Sequence, residues 1–113
     1  MKKTIKIAGR KIINDVYIAD SFKNRLMGYM LKDEPHHKAI LIKPCNSIHT
    51  FFMKFNIDVI FLNENMKVIE KIEGLEPWKV IMPIKGAKMV LESSEGVFKD
   101  IKMGSNIMHS ISY

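Results

Sequence analysis

The segment IDVIFLNENMKVIEKI, residues 57–72, decides the fold because it has the pattern of a β-hairpin. Apolar and β-branched side chains dominate residues 57–62 and 66–72, as expected for two adjacent strands. Asn63-Glu64-Asn65 lies between them, and asparagine tolerates the left-handed backbone conformations that tight turns require. The segment therefore predicts two strands joined by a short turn, within a β-rich fold.

Five further segments have the short apolar or alternating patterns of β-strands. They cover residues 4–8, 11–19, 39–42, 87–92 and 106–111. Pro44 ends the strand at 39–42, because proline lacks the amide that a sheet ladder needs. Residues 45–55 and 73–86 are predicted to be irregular connections, since the first is rich in aromatic residues and the second in Gly and Pro.

Two short helices complete the predicted elements. Ser21 can cap a helix that ends before Pro35, because its hydroxyl can accept a hydrogen bond from a free amide of the first turn, and Phe22, Leu26 and Tyr29 fall on one helical face. Ser93 or Ser94 can cap a second short helix through Val97 and Ile101, which Gly104 can end. Two brief helices against six or seven short strands predict an α+β, mainly β fold. We expect a compact, partly closed β-sheet or sandwich.

The composition is that of an ordinary globular protein. The chain has 113 residues, of which 47% are hydrophobic and 27% are charged. Because domains span roughly 50–200 residues, we expect residues 1–113 to form a single domain. The net charge of +6 favours anionic partners, including nucleic acid or an acidic protein. The basic residues are interspersed with acidic ones, which is typical of a solvated surface.

The sequence also predicts the cellular compartment of the protein. Cys45 is the only cysteine, so an internal disulfide cannot form and nothing indicates an oxidising compartment. Residues 4–15 are interrupted by charged and amide side chains, unlike the apolar core of an export signal. No apolar run approaches the ~20 residues needed to cross a bilayer. We therefore expect a cytoplasmic protein without a membrane span.

Three stretches of the sequence resemble one known family. They are RLMGYM at residues 25–30, CNSIHTFFMKFNIDVIFL at residues 45–62, and Val90-Leu91-Glu92 followed by Gly96. In this order and spacing they are similar to the family known as domain of unknown function 192. Tyr29 stands where the family commonly has Leu, a difference that leaves the fold assignment intact. The resemblance implies a small β-rich domain and implies no activity.

Polar side chains in and near these stretches are the candidates for a binding site. Loops between strands often carry sites, because a rigid scaffold can aim their side chains. We predict a polar cleft near residues 48–58, formed by Arg25, His49, Lys54, Asp58, Trp78 and Glu92.

Asp58 is the most informative of these residues. It shares a strand face with Ile60 and Leu62, so its carboxylate has to lie at a sheet end or be paired. Arg25 can provide a bidentate partner for Asp58 or Glu92. A salt bridge that only joins helix to sheet is the structural alternative to a binding cleft.

A catalytic dyad and a metal site are two alternatives to this binding cleft. Cys45 and His49 would lie ~6 Å apart in a helical turn, close enough for a nucleophile and its base, but ~13 Å apart in an extended chain. A metal site could draw on Cys45, His49, His36 or His37, and Asp58 or Glu92. The CxxC, HxxxH and HExxH motifs are absent, so we predict neither a metal nor a cofactor.

The sequence therefore predicts a non-catalytic binding or accessory domain whose partner is a protein or a small anionic ligand. The first alternative is a small metal-dependent or hydrolase-like enzyme that uses His49 and Asp58. The second is binding of nucleic acid or another polyanion, since Trp78, Phe51 and Phe52 could stack on bases while lysines neutralise phosphate. Known RNA-binding signatures do not accompany these aromatic residues.

Overall fold

The computed structural model describes residues 2–7, 11–35 and 38–112. Within these ranges it contains nine β-strands and one α-helix. In chain order these are β1 (Lys2–Ile7), β2 (Lys11–Ala19), α1 (Phe22–Met27), β3 (Ala39–Ile42), β4 (Ile48–His49), β5 (Ile57–Leu62), β6 (Val68–Leu75), β7 (Val80–Ile81), β8 (Met89–Ser94) and β9 (Ile107–Ser112). No helix in the described part of the chain has the length and apolar character to cross a membrane. The mainly β prediction is confirmed.

Seven of the strands form one mixed sheet in the order β6-β5-β8-β3-β2-β1-β9. In this sheet β2 and β3 run parallel, and the other neighbouring strands run antiparallel. β4 and β7 form a separate two-stranded antiparallel sheet. β8 therefore lies near the middle of the large sheet, between β5 and β3, where both of its edges are paired.

The β5–β6 hairpin has the predicted turn. The side-chain oxygen of Asn63 accepts hydrogen bonds from the backbone amides of Asn65 (2.9 Å) and Lys67 (3.0 Å). This pairing satisfies amides that have no ladder partner where the chain reverses. β6 begins at Val68 rather than at residue 66, because Met66 has a left-handed φ of 62° and belongs to the turn.

The large sheet curls until its two edges meet at one end. Lys67, just before β6, forms an isolated bridge with Asn106, just before β9. The Val68 amide donates to the Ser105 carbonyl across the same junction, at 2.8 Å. Closing the edges in this way removes unpaired strand groups from solvent. The sheet is thus partly closed.

A buried apolar cluster fills the enclosed face of the curled sheet. It receives side chains from both edge strands and from the segment after β8, so it lies inside the curl. Its members are Ile13, Val16, Ala39, Leu41, Ile60, Leu62, Val68, Leu91, Phe98, Ile101 and Ile107. Burying each large side chain contributes roughly 1.5–3 kcal/mol, which makes this cluster a main source of stability.

A second buried cluster covers the outer face of the same sheet. Its members are Ala19, Tyr29, Ile40, Ile42, Ile48, Met53, Ile57, Val59, Phe61, Ala87 and Val90. Side chains alternate along a strand, and on β8 Val90 belongs to the outer cluster while Leu91 belongs to the inner one. Glu92 therefore faces outward, into the apolar layer between the large sheet and the β4–β7 sheet.

The first helix begins at the predicted cap and ends within the predicted limit. The Ser21 hydroxyl accepts a hydrogen bond from the Asn24 amide at 3.2 Å, which is the predicted cap. The helix ends at Met27, before Pro35 as predicted, because Gly28 takes a φ of 44°. The chain can leave the helix sharply here, since glycine has no Cβ to clash in this conformation.

The second predicted helix is absent from the described residues. Residues 95–100 form consecutive turns, and strand β8 extends through Ser94. The Ser93 hydroxyl donates to the Ser94 carbonyl and caps no helix. Phe98 and Ile101 are both buried in the inner cluster. Packing of these two side chains, and not a helical amphipathic face, determines the local backbone.

The β4–β7 sheet lies in the two segments that were predicted to be irregular, residues 45–55 and 73–86. Thr50 joins them: its hydroxyl donates to the Glu76 carbonyl at 2.7 Å and accepts from the Lys79 amide at 2.8 Å. The Thr50 amide also donates to the Lys79 carbonyl. These bonds fix two loops, distant in sequence, as one layer over the outer face of the large sheet.

Candidate ligand-binding site

A cavity of about 550 Å³ opens between the outer face of the large sheet and the β4–β7 sheet, beside the end of α1. Apolar side chains form most of its wall: Leu26, Ile42, Pro44, Ile48, Phe51, Met53, Val80, Ile81, Met82 and Pro83. The polar residues of the wall are Arg25, Cys45, Ser47, His49 and Glu92. Small-molecule sites typically have volumes of roughly 300–1,000 Å³ and an apolar wall with a few polar groups.

Glu92 is the polar group placed deepest in this wall. It stands opposite Ile40 of β3 and Val59 of β5, so buried apolar strands flank it on both sides. Its side chain is 1% exposed, and its Oε1 atom has no hydrogen-bond partner. Burial raises the pKa of the carboxyl group from 4.5 to about 8, since an apolar environment disfavours the charged form. At neutral pH Glu92 is therefore mainly a neutral carboxylic acid.

Gly28 allows the helix to end directly over this carboxyl group. A Cβ atom at position 28 would lie 3.0 Å from the Glu92 Oε1 atom, closer than ordinary packing allows. The residue also has a positive φ, which favours glycine. The glycine in the stretch RLMGYM thus brings the backbone of the α1 end against Glu92.

Arg25 contributes a cation to the same cavity. It lies in the last turn of α1 and is partly buried. Within the described ranges the carboxylates in ion pairs are Asp33 and Glu73, whose partners are lysines, so Arg25 has no carboxylate partner there. The predicted pairing of Arg25 with Asp58 or Glu92 does not form. The guanidinium is left to face the cavity or solvent.

His49 lines the cavity from β4, and its ring is partly fixed. The Nδ1 atom accepts a hydrogen bond from the Phe51 amide at 3.1 Å, and the two rings lie 5.1 Å apart. An imidazole that accepts at Nδ1 carries its proton at Nε2. His49 therefore has one nitrogen, a donor, remaining for other interactions.

Cys45 also lines the cavity, but its thiol has the properties of a structural residue. The Sγ atom donates to the Ser47 carbonyl at 2.9 Å, and burial raises the pKa of the thiol above its usual value. A thiol that resists ionisation is a poor nucleophile. Neither Cys45 nor His49 uses the other as its hydrogen-bond partner, so the geometry does not form the dyad considered from the sequence.

Asp58 is separate from the cavity. Its two oxygens accept hydrogen bonds at 2.9 Å from the backbone amides of Gly74 and Gly96. The residue is 1% exposed and lies at the start of β5, on the strand face that it shares with Ile60. The carboxylate is paired, as its position on the strand required, but its partners are backbone amides. Asp58 thus joins β5 to β6, which contains Gly74, and to the turn after β8, which contains Gly96.

Lys54 and Trp78 lie on the surface beside the cavity, and neither side chain lines it. The Lys54 ammonium forms an exposed salt bridge with Asp33, with 2.6 Å between Nζ and Oδ1. Trp78 is 60% exposed, and its ring contacts Phe52 (4.9 Å between centroids) and Phe51 (5.9 Å). We call Phe51, Phe52 and Trp78 the aromatic rim, because Phe51 extends from this cluster into the cavity wall.

The family can be assigned from comparison with known proteins. Residues 3–109 match the family model DUF192, described as Uncharacterized ACR. The chain belongs to this family. A UPF0127 protein from Pyrococcus abyssi is 39% identical over 106 residues, which cover 89% of this chain and 85% of the relative. A UPF0127 protein from Pyrococcus horikoshii is 39% identical over 93 residues, or 78% of this chain and 79% of the relative.

The fold of this DUF192 chain also occurs in a protein whose structure has been solved. The crystal structure of a protein of unknown function from Novosphingobium aromaticivorans DSM 12444 matches it with a TM-score of 0.78 and 17% identity. The match covers 93% of this chain and 83% of that one. At this identity the likeness concerns the fold alone. The family expected from the three sequence stretches is confirmed, and the range that matches the DUF192 model includes the whole cavity wall.

Within this DUF192 chain, the structure brings three of the six predicted site residues to one cavity: Arg25, His49 and Glu92. The wall formed by residues 80–83 was missed, because this Val-Ile-Met-Pro run lies in a segment predicted to be a loop. The signal that could have revealed this wall is the run of apolar side chains itself, because exposed apolar residues in a loop often mark an interaction site. The described residues contain no group of three metal ligands, and His36 and His37 lie outside the described ranges.

Proposed function

We propose that this chain is a non-catalytic binding domain that holds a small organic ligand in the cavity under the β4–β7 sheet. The proposal is carried by Glu92, a buried carboxyl group that borders the cavity and whose Oε1 atom has no partner. Buried polar atoms are paired in the great majority of proteins, because an unpaired one costs roughly 1–3 kcal/mol. A ligand atom in the cavity would supply the missing partner.

The wall of the cavity supports a ligand with a substantial apolar part. Ile42 and Ile48 are buried at its base, while Val80 and Met82 are more than half exposed at its mouth. Large exposed apolar side chains around a concave surface mark interaction sites in many proteins. A ligand that covers Val80 and Met82 would remove this apolar surface from water, which is favourable.

The polar groups of the cavity support binding rather than catalysis. The thiol of Cys45 is held in its protonated form by burial, and Asp58 is bound to backbone amides outside the cavity. A hydrolase that used His49 with Asp58 would need the two groups near one reacting atom. Lys54 is paired with Asp33, so this segment offers no unpaired lysine to support polyanion binding.

The proposal also includes the extent of the binding domain and the compartment in which it works. We treat residues 1–113 as one binding domain that works in the cytoplasm, where a free thiol such as that of Cys45 stays reduced. The ligand enters between the α1 end and β7, and the aromatic rim is adjacent to this opening. A protein partner could then contact the rim, but the cavity itself is suited to a small molecule.

The test uses a cavity-blocking variant and a matched neighbour. Ligand-observed NMR with a library of small anionic, cationic and neutral amphiphiles identifies compounds that bind the wild-type protein. Val80→Phe places a large ring at the cavity mouth, whereas Lys79→Phe places the same ring on the adjacent residue, which does not line the cavity. We expect Val80→Phe to weaken binding at least tenfold and Lys79→Phe to leave it unchanged.

Circular dichroism first establishes that both variants have the wild-type fold. A library without a single binder would contradict the proposed function, as would compounds whose affinity is the same for the wild type and Val80→Phe. Ligand-dependent stabilisation gives a second measure, because a ligand at 100 times its Kd raises the free energy of unfolding by about 2.7 kcal/mol.

A further inference from the structure

We infer that the ligand is an amphipathic oxyanion, whose carboxylate or similar group contacts Arg25 and Glu92 and whose apolar body lies against β7. This inference rests on the proposed function and specifies the chemical class of the ligand. Neither the net charge nor the cavity volume alone distinguishes an anion from a cation. The distinction comes from the hydrogen-bonding character of the groups that border the cavity.

The side chains that could bind a ligand head group are hydrogen-bond donors. Arg25 has five donor N–H groups and no acceptor, and no carboxylate partner occupies it within the described ranges. His49 uses Nδ1 as an acceptor for the Phe51 amide, which leaves Nε2–H as a donor. Glu92 in its neutral form can donate through its carboxyl proton. A set of donors matches a ligand group that is rich in acceptor oxygens.

The charges in the cavity favour the same class. The titratable or charged groups in its wall are Arg25, Cys45, His49 and Glu92. With Glu92 neutral and the Cys45 thiol protonated, Arg25 supplies a full positive charge and no fixed negative charge balances it. A bound cation would be repelled by Arg25, whereas an oxyanion would be attracted. Charge-assisted hydrogen bonds from arginine to a carboxylate are among the strongest in proteins.

The shape of the wall requires the anion to carry an apolar body. Ile81 and Met82 of the β7 segment and Leu26 of α1 form the side of the cavity opposite Glu92's sheet. Leu26 and Met82 are about half exposed or more, so they have apolar surface that a ligand can cover. Methionine has a flexible side chain that can adjust to an alkyl group. A small anion without such a body would leave this surface in water.

Four matched probes separate the head group from the body. Octanoate, octylammonium and octanol share one alkyl chain and differ in charge, while acetate has the carboxylate without the chain. Isothermal titration calorimetry at pH 7 measures their affinities for the wild-type chain. We expect octanoate to bind at least tenfold more tightly than octylammonium or octanol, and acetate to give no detectable heat.

The dependence on pH tests the role of Glu92. With a carboxyl pKa of about 8, the neutral fraction of Glu92 falls roughly tenfold between pH 7 and pH 9, so the affinity for octanoate should fall by roughly the same factor. Glu92→Gln keeps a neutral donor and should make the affinity constant over this range. Repeating the titration with His49→Gln separates any contribution of the imidazole.

Arg25 gives an independent test if Glu92→Gln fails to fold. Arg25→Gln should abolish the preference for octanoate over octanol, while Lys23→Gln, an exposed change in the same helix, should preserve it. Tightest binding of octylammonium, with an affinity that rises with pH, would overturn the oxyanion assignment and leave the cavity as the binding site. Equal affinities for octanoate and octanol would overturn it as well.

Failure of octanoate to bind also overturns this inference. The proposed function survives that result when the amphiphile library contains another compound whose binding depends on Val80. Both proposals fail together when no compound of any charge binds in a Val80-dependent way.

Discussion

Replacing Glu92 with glutamine should change the pH dependence of stability more than any other single substitution in the described residues. The side chain is buried on the outer face of the large sheet, and burial raises its pKa from 4.5 to about 8. Below pH 4.5 the carboxyl group is protonated in both the folded and the unfolded chain. Between pH 4.5 and pH 8 the unfolded chain loses this proton while the folded chain retains it, so folding becomes less favourable as pH rises.

The size of this effect follows from the pKa difference. Each pKa unit corresponds to about 1.4 kcal/mol, so a shift from 4.5 to about 8 lowers the free energy of unfolding by about 5 kcal/mol once the pH exceeds 8. Total stabilities of small domains are only about 5–15 kcal/mol. Glutamine has nearly the same shape and does not ionise. The stability of Glu92→Gln relative to the wild type should therefore increase by about 3 to 4 kcal/mol between pH 5 and pH 8.

Urea denaturation followed by circular dichroism at pH 5, 6, 7 and 8 measures this difference directly. Glu95→Gln is the matched control, because Glu95 is an exposed glutamate three residues further along the chain. Its stability curve should run parallel to that of the wild type. Parallel curves for Glu92→Gln as well would refute the reasoning, since they would mean that Glu92 ionises equally easily in the folded and unfolded chain.

Three further substitutions test the scaffold around the site by chemical denaturation. Asp58→Ala should lower the free energy of unfolding by about 3–5 kcal/mol, because two backbone amides lose their hydrogen bonds to a buried carboxylate, whereas Asp33→Ala on the surface should cause no measurable change. Phe98→Ala should cost about 3–5 kcal/mol, while the exposed Phe52→Ala should stay within about 0.5 kcal/mol; similar losses would contradict the assignment of Phe98 to the inner cluster. Gly28→Ala should cost roughly 1–2 kcal/mol because of its positive φ, and unchanged stability would contradict the close approach of α1 to Glu92.

Local sequence patterns predicted the hairpin and the first helix cap because both depend on neighbouring residues. Asn63 forms its turn bonds within four residues, and Ser21 caps α1 through an amide three residues away. The β4–β7 pairing was missed because each strand has two residues and the contact depends on Thr50, whose partners are Glu76 and Lys79. No periodic pattern can reveal strands as short as these.

The residues predicted to form one site lie in different places for a similar reason, because their positions depend on tertiary structure. The side chains of Arg25, His49 and Glu92 reach one cavity, whereas Asp58 points to the opposite face of its sheet. The alternation along β5 indicated that Asp58 shares a face with Ile60, but the sequence could not show that this face is the enclosed one. Which face of a strand encloses the core depends on how the whole sheet curls, and this requires the strand order.

The second helix illustrates how tertiary packing overrides a local signal. Ser93 and Ser94 have the side chains of helix caps, but β8 continues through them and pairs with β5 on one side. Phe98 and Ile101 then turn into the inner cluster. The energy gained by burying two large side chains exceeds the weak preference that a single capping residue gives to a helix.

The most direct test of the binding site is a crystal structure of the chain with octanoate at saturating concentration. The account predicts electron density for the carboxylate at about 2.7–3.2 Å from the Arg25 guanidinium and the Glu92 carboxyl group, with the alkyl chain against Ile81 and Met82. Density for octanoate elsewhere on the surface, with Glu92 Oε1 still unpaired in a cavity that holds no ligand, would contradict it.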